Sequence, residues 1–433
     1  MKLTVFPSGK GDCLLLEAAS GEVVLVDGGT REAYREHVAG AMGSLRRRGV
    51  EIVLAMVSHT DSDHIGGVLQ LLNDEVEARV HEYQRANGNR GHREPERPRP
   101  PVIRELWHNG FGELLKDDVQ HTQGLLDQTA GILAAASGRK EREGALDRSL
   151  LAQSIPEALR LARRASAKQL GIPVNPGFAN ELVVVDKQPV RRQIGSLDVT
   201  LVGPRKADVD RYREEWRKWL KANEKTLADI RREARADETA IRQGEGSQLV
   251  STLVGLADEL GDRTKVTPPN LASIMALVDE AGRRILLTGD GHGDDLLASL
   301  KEQQLLDGTG GIHVDVLKVQ HHGSEKNITE AFARAVTADH YVFCGNGEHE
   351  NPDLRVVRLL AASRIGRTSE RSGNGETDRP FRFWFNTSAK ATKPPAAGHV
   401  RALEKEVKRL AGNSRGRLTY RFTGNDRFAI TPA

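Results

Sequence analysis

The sequence predicts an α/β fold, a four-layer αββα sandwich with helical insertions, and three observations predict it. Short apolar runs that read as buried strands, residues 52–57 and 285–288 among them, each open onto a loop of carboxylates and glycines. Helical patterns follow such strands, as 68–72 follows the first of these loops. The pattern occurs in two halves of the chain, separated by long charged blocks. Two apolar strand–helix halves meeting at one polar edge make a sandwich, because each sheet must bury an apolar face.

The chemistry gathers in Ser58-His59-Thr60-Asp61-Ser62-Asp63-His64-Ile65-Gly66-Gly67. His59, Asp61, Asp63 and His64 are four metal-capable side chains within six residues, at the mouth of a strand. A tight turn presents His59 and Asp61 to one side and Asp63 and His64 to another. Each pair offers one imidazole and one carboxylate, a mix suited to Zn, Mn or Fe. Capping of the following helix explains one Asp, but not all four residues together.

His-x-Asp-x-Asp-His followed by Gly-Gly resembles the signature of the metallo-β-lactamase fold, whose common form is His-x-His-x-Asp-His. With Asp at the third position it is similar to the soluble hydrolase domain of ComEC-type DNA-uptake proteins and their free-standing relatives. The resemblance covers about residues 1–75, 195–204 and 265–365.

Taken in order, residues 13–17 and 22–26 read as strands, with Gly9-Lys10-Gly11-Asp12 as a turn before them. That turn is similar to the Gly-Gln-Gly-Asp of the ComEC-like group, from which Lys10 departs. Asp27, at the end of the second strand, is by resemblance the carboxylate that orients the metal loop from behind. Residues 32–48 read as a helix whose Arg46-Arg47-Arg48 is a solvated end, since basic side chains favour helix C-termini. Residues 86–101 read as an exposed loop, in which Arg90, Arg93, Arg97 and Arg99 are the expected phosphate contacts unless the loop is merely solvated. Residues 113–170 read as Leu- and Ala-rich helices. Residues 195–202 alternate as a strand that Gly203-Pro204 stops, and 209–260 form a second helical block around Trp216, Trp219 and Leu220.

The second half begins with a strand over 270–278, a hairpin turn at 282–284, and a return strand opening onto Gly289-Asp290-Gly291. The resemblance makes Asp290 the bridge between two metals. Asn270 stands near the place where many relatives supply a third His, and Asn270 to Ser273 resembles an Asn-x-x-Ser string instead. A strand over 314–320 delivers His321-His322-Gly323-Ser324. Adjacent histidines in an extended chain point to opposite sides. One of the two is therefore expected as a direct ligand. Beside the resemblance of the Leu-Lys-Val-x-His-His-Gly-Ser string to the group, His321 is taken as the ligand of the second metal, with His322 behind the ligands, as substrate contact or as proton donor, so that His322→Ala is the milder change. Lys318 and Ser324 belong to the Leu-Lys-Val-x-His-His-Gly-Ser string of the group and are placed around the ligands. His349 lies near an Asn-x-x-x-His-Pro motif of altered spacing and is a candidate to line the site. A strand at 338–344, a helix at 353–363, a strand at 381–385 and a charged helix at 400–410 complete the chain.

This divides the chain into 1–85 as the first half of the fold, 86–194 as a loop and helical insertion, and 195–208 as a core strand. A second insertion follows at 209–264, then the second half at 265–390 and a C-terminal helix and strand at 391–433. Both insertions are expected to wall one side of the metal cleft, since segments between catalytic strands emerge beside the site.

Composition narrows the class. Of 433 residues, 38% are hydrophobic and 28% charged, and no apolar run approaches the length that spans a bilayer. The N-terminal residues show no apolar leader. Cys13 and Cys344 fall in predicted strands, as buried thiols of a reducing cytoplasm do. A net charge of +3 permits a phosphate-rich partner without requiring one.

The expected function is a hydrolase in which His59, Asp61, Asp63, His64, Asp290 and His321 hold two divalent ions, Zn²⁺ or Mn²⁺. The usual separation of such a pair is about 3.5–4 Å, and it generates hydroxide from water. Asp63, Asp290 and His322 are the catalytic set. DNA or another phosphodiester is the expected substrate. A lactamase- or thioesterase-like hydrolase of small molecules is the alternative, and a regulatory protein with a partly decayed site, on account of Asn270, is a third reading.

Overall fold

The computed structural model describes residues 1–110, 157–158, 160–178, 182–186, 188–210, 270 and 272–432. Most of the predicted insertions, with Trp216, Trp219 and Leu220, lie outside these residues. Fourteen strands form two sheets. They are β1 Lys2–Val5, β2 Leu14–Glu17, β3 Val23–Val26, β4 Ile52–Val57, β5 Leu106–His108, β6 Arg191–Ile194 and β7 Leu197–Gly203. The remainder are β8 Met275–Glu280, β9 Arg283–Leu287, β10 Ile312–Lys318, β11 Val336–Phe343, β12 Phe381–Phe385, β13 Leu418–Phe422 and β14 Phe428–Ile430.

The first sheet runs β14-β1-β2-β3-β4-β5, and the second β13-β12-β11-β10-β9-β8-β7-β6. Each is mixed: β3, β4 and β5 are parallel, as are β9 to β13, and the outer partners are antiparallel. The last two strands divide, with β13 on the edge of the second sheet and β14 closing the first beside β1.

Alternation along the strands builds the layers. Leu14, Leu16, Val24, Val26, Leu54 and Met56 meet Ala276, Val278, Ile285 and Leu287 in the core between the sheets. Their neighbours Leu15, Val23, Leu25, Ala55 and Val57 face outward and pack under Tyr34, Met42, Ile65, Val68 and Leu69 of the first helical layer. On the far side Met275, Leu277 and Leu286 pack under Leu296, Leu300, Phe332, Val357 and Leu360 of the second. Strands covered on both faces read as unbroken apolar runs, and the IVLAMV of β4 is one. Each such side chain contributes about 1.5–3 kcal/mol by burial. No helix among the described residues is long and apolar enough to cross a membrane.

The metal loop leads directly into a 25-residue helix, Ser62–Ala86. Two Gly-Gly pairs bring this helix against the end of β3. Gly28 N donates to His64 O at 2.8 Å and Gly67 N to Gly29 O at 2.9 Å. A Cβ on Gly67 would lie 1.9 Å from Gly28 O, so only glycine permits the approach that brings His64 to Asp27. Gly67→Ala is expected to lower unfolding stability by about 1–3 kcal/mol, the usual cost of overpacking, measurable by chemical denaturation.

Several boundaries differ from the sequence expectation. The strand predicted from 270 begins at Met275. Ahead of it Ser273 N turns back to Asn270 O at 3.1 Å. The partner strand β7 ends at Gly203, where Pro204 has no N–H to extend the ladder. The strand predicted over 314–320 spans Ile312–Lys318, so His321 and His322 lie in a turn. Cys13 and Cys344 each sit one residue outside a strand, and both are buried.

The basic loop packs on the long helix. Arg97 Nε donates to Asp74 at 2.9 Å, and Arg99 reaches Glu75 at 2.8 Å and Glu82 at 2.6 Å. Asp74 is only 2% exposed, and a carboxylate so buried requires a counter-ion. Arg97 and Arg99 are thus engaged by the helix, whereas Arg90 and Arg93 are exposed.

Candidate metal centre

Five chain segments deliver side chains to one edge of the sandwich. Asp12 precedes β2, Asp27 follows β3, Ser58 to His64 follow β4, Asp290 follows β9 and His321-His322 follow β10. Asp61 occupies the N-cap position of the helix Ser62–Ala86 yet makes no capping hydrogen bond. Its Oδ1 is buried without a hydrogen-bond partner, so helix capping does not explain it.

Asp290 is the hub. It is 2% exposed, and four imidazoles surround its carboxylate. His59 Nε2 and His321 Nε2 lie 3.7 Å from Oδ2, His322 Nε2 lies 3.3 Å from Oδ2, and His64 Nε2 lies 3.4 Å from Oδ1. His59 Nε2 also stands 3.5 Å from Asp61 Oδ2. His322 Nε2 stands 3.5 Å from Asp63 Oδ2 and 3.3 Å from His64 Nε2. His59 is therefore set with Asp61, and His322 with Asp63 and His64, with Asp290 between the two groups and His321 approaching its Oδ2.

This placement corrects the reading of the His-His pair. The chain is not extended there: His321 has φ 44° and His322 φ 56°, both left-handed. Both rings consequently face Asp290, with centroids 5.7 Å apart. His322, expected as the milder of the two, is the imidazole set against Asp63 and His64, whereas His321 approaches Asp290 from beside Asn270 and Asn327. Asp27 is also left-handed, at φ 57°. Such conformations cost about 1–3 kcal/mol each and persist where the surroundings enforce them.

The supporting contacts are specific. Asp27 accepts from Ser58 N and Ser58 Oγ, both at 2.7 Å, and faces His64 Nδ1 at 2.9 Å. His321 Nδ1 meets Asn327 Oδ1 at 2.6 Å, and Asn327 Nδ2 donates to Asp290 O at 2.7 Å. Asn270 lies with Nδ2 3.5 Å from His321 Nδ1. Ser324, also buried, donates its backbone N–H to His321 O at 2.8 Å. Lys318, 1% exposed, is ion-paired with Asp12 and donates to Gly289 O at 3.1 Å. His349 is exposed on the turn Glu348–Glu350.

Asp12 was not placed in the site by sequence reasoning, although the Gly-Lys-Gly-Asp string had marked its turn. Its Oδ1 lies 3.2 Å from His322 Nδ1, and Asp12, His64, Asp290 and His322 offer ligand atoms within 4.8 Å of one another. Asn327, three residues beyond Ser324 of the His-His-Gly-Ser string, belongs to no motif and carried no signal of its own.

The electrostatics suit a cation. Burial works to raise the Asp290 carboxyl, but His322 and His64 overcome it and hold it well below the usual carboxylate range. Asp63 is held down in the same way, by His322 and His64. Burial opposes charge on His64 and His322, yet Asp290 with Asp27, and Asp290 with Asp12, push both imidazoles well above their ordinary value. His321 is lowered, chiefly by burial. Protons on His64 and His322 thus offset the carboxylates of the metal-free centre. His59 Nε2, Asp61 Oδ1, Asn270 Oδ1 and Asp290 Oδ1 are buried without hydrogen-bond partners. Native proteins rarely leave such atoms unmatched, and the set fits divalent ions.

Residues 7–131 match the family described as the Metallo-beta-lactamase superfamily. Among curated proteins none matches the chain. Among solved structures the chain is similar to Zn(2+)-bound PqqB from Methylobacterium extorquens, with 11% identity, 100% of each chain covered and a TM-score of 0.32. The two-sheet αββα architecture is that of a metallo-β-lactamase sandwich, and residues 7–131 within it match the superfamily.

Proposed function

We propose that the protein is a metal-dependent hydrolase of phosphodiesters. The observation that carries this reading is the convergence of His59, Asp61, Asp63, His64, His321 and His322 on Asp290, with buried lone pairs left unmatched. His59, Asp61 and His321 would hold one divalent ion and Asp63, His64 and His322 another, with Asp290 reaching both. Such a pair lowers the pKa of a water and clamps the attacking and leaving oxygens of a displacement. The carboxylate-rich set suits Mn²⁺ as well as Zn²⁺. Asn327 and Asp12 face the Nδ1 atoms of His321 and His322, so each ring presents Nε2 to the centre. With water as the nucleophile the chain need not supply a Ser or Cys. A phosphodiester offers two unbridged oxygens, which matches two ions. The Leu-Lys-Val-x-His-His-Gly-Ser and Leu-Leu-Thr-Gly-Asp strings resemble the DNA-cleaving group and support the same substrate.

Purified protein with added Mn²⁺ or Zn²⁺ is expected to cleave linear, plasmid or single-stranded DNA or a simple phosphodiester, and a chelator to stop it. Cleavage of thioesters or lactams with phosphodiesters untouched would overturn the substrate reading. His321→Ala and His322→Ala are each expected to lose one of two bound ions and to lower activity by more than the roughly 10–100-fold that outer partners cost. Metal analysis of the two variants checks this. An unchanged ion count in the His321 variant would remove it from the ligand set.

A further inference from the structure

The carboxylate of Asp12 lies close enough to His64, Asp290 and His322 to count as a fourth ligand. The direction of its contacts argues otherwise. Asp12 Oδ1 stands 3.2 Å from His322 Nδ1, and Oδ2 stands 3.9 Å from His64 Nδ1. Both are the outer nitrogens of their rings. The Nε2 atoms point the other way, toward each other at 3.3 Å and toward Asp290. An ion held by Nε2 would have the imidazole between it and Asp12.

The other oxygen of Asp12 is taken by the ammonium of Lys318. Both residues are 1% exposed. Lys318 is held in turn by Gly289 O at 3.1 Å, and its Nζ lies 3.8 Å from Asp290 Oδ1. Gly289 O also accepts His321 N at 3.1 Å. On the neighbouring ring Asp27 is hydrogen-bonded to His64 Nδ1 and fixed by Ser58, whereas Asp12 Oδ1 and His322 Nδ1 face each other as an ion-pair contact without a hydrogen bond. A carboxylate behind a ligating histidine sets its tautomer and ring angle.

We propose that Lys318 locks Asp12 behind His322 as a positioning residue and keeps that carboxylate from becoming a metal ligand. Lys318 acts through Asp12, not on the ions. The inference rests on the two-ion reading of the centre, and metal uptake by the unmodified protein tests that reading separately from the variants.

The test is metal binding by the full chain, measured with Zn²⁺ against a chelating indicator and with Co²⁺ by absorption. Asp12→Asn is expected to keep the ion count and the Co²⁺ band intensities while affinity falls 10–100-fold, the usual cost of losing an outer partner. Lys318→Met is expected to change the Co²⁺ bands, because the released carboxylate can enter the coordination sphere. The double variant Asp12→Asn/Lys318→Met is expected to return to the Asp12→Asn spectrum. If the single variants fail to fold, Asp12→Leu/Lys318→Met removes both charges together and should show the same 10–100-fold loss at unchanged ion count. Loss of an ion in either Asp12 variant would make Asp12 a ligand. Unchanged affinity, or Co²⁺ bands untouched by Lys318→Met, would equally overturn the proposal. If the unmodified protein takes up no metal, the two-ion reading falls and this inference with it.

Discussion

Asp290→Asn is expected to abolish hydrolysis and to lower the affinity for both ions while leaving the fold intact. The loss should exceed the roughly 100-fold upper range for residues that only orient a ligand, because this carboxylate lies among all four imidazoles of the centre. Its contacts include the four imidazoles of His59, His64, His321 and His322, with Lys318 Nζ 3.8 Å from Oδ1. The backbone contact from Asp290 N to Ser273 Oγ, at 3.2 Å, and that of Asn327 to Asp290 O survive the substitution. Metal content and turnover, read beside a circular dichroism spectrum, check this. A variant that retained two ions and near-normal turnover would remove Asp290 from the centre.

Acid is expected to strip the metals steeply. His64 and His322 have folded values well above the ordinary imidazole value, so near neutral pH an incoming ion must displace both protons. Affinity should then change by up to about 100-fold per pH unit below those raised values. The metal-free protein follows a different course. Groups with raised values stabilise it fully below the unfolded imidazole value, about 6.5, and that contribution is lost as pH rises through the folded values. His321 is lowered, and burial takes His108 down to about 4. Both therefore cost stability as pH falls below about 6.5. Asp12, Asp63 and Asp290 are depressed. Their contribution is present above about 3.9 and lost as pH falls through the folded values. Stability of the chelated protein should peak at roughly pH 6–6.5, whereas the loaded protein should gain relative to it as pH rises. Thermal melts across pH, with and without chelator, and calorimetric proton release on Zn²⁺ binding provide the measurement. Binding without proton release would sink the prediction.

Much of this was legible in the chain because it is local. β4 and β9 end in polar loops, and a buried strand with an apolar run and a following carboxylate can be read at single-residue range. The His59 to His64 ligand cluster is read in the same way, since four chemically matched side chains within six residues need no tertiary contact to be noticed. The Gly-Gly pairs at 28–29 and 66–67 were visible as flexible points, but their mutual packing was not.

What folding alone decided is where distant residues aim. The left-handed backbone of His321 and His322 sends both rings inward to Asp290, an arrangement that alternation along an extended strand does not predict. Asp12 and Lys318 are 306 positions apart, and only the closure of the two sheets buries their charges against each other at the back of His322. Arg97 and Arg99 read as free cations in the sequence, yet the buried Asp74 and Glu75 of the neighbouring helix claim them. The physical reason is common to all three. A charge or a ring nitrogen takes its role from its partner across space once water is excluded, and that partner is chosen by packing, not by spacing in the chain.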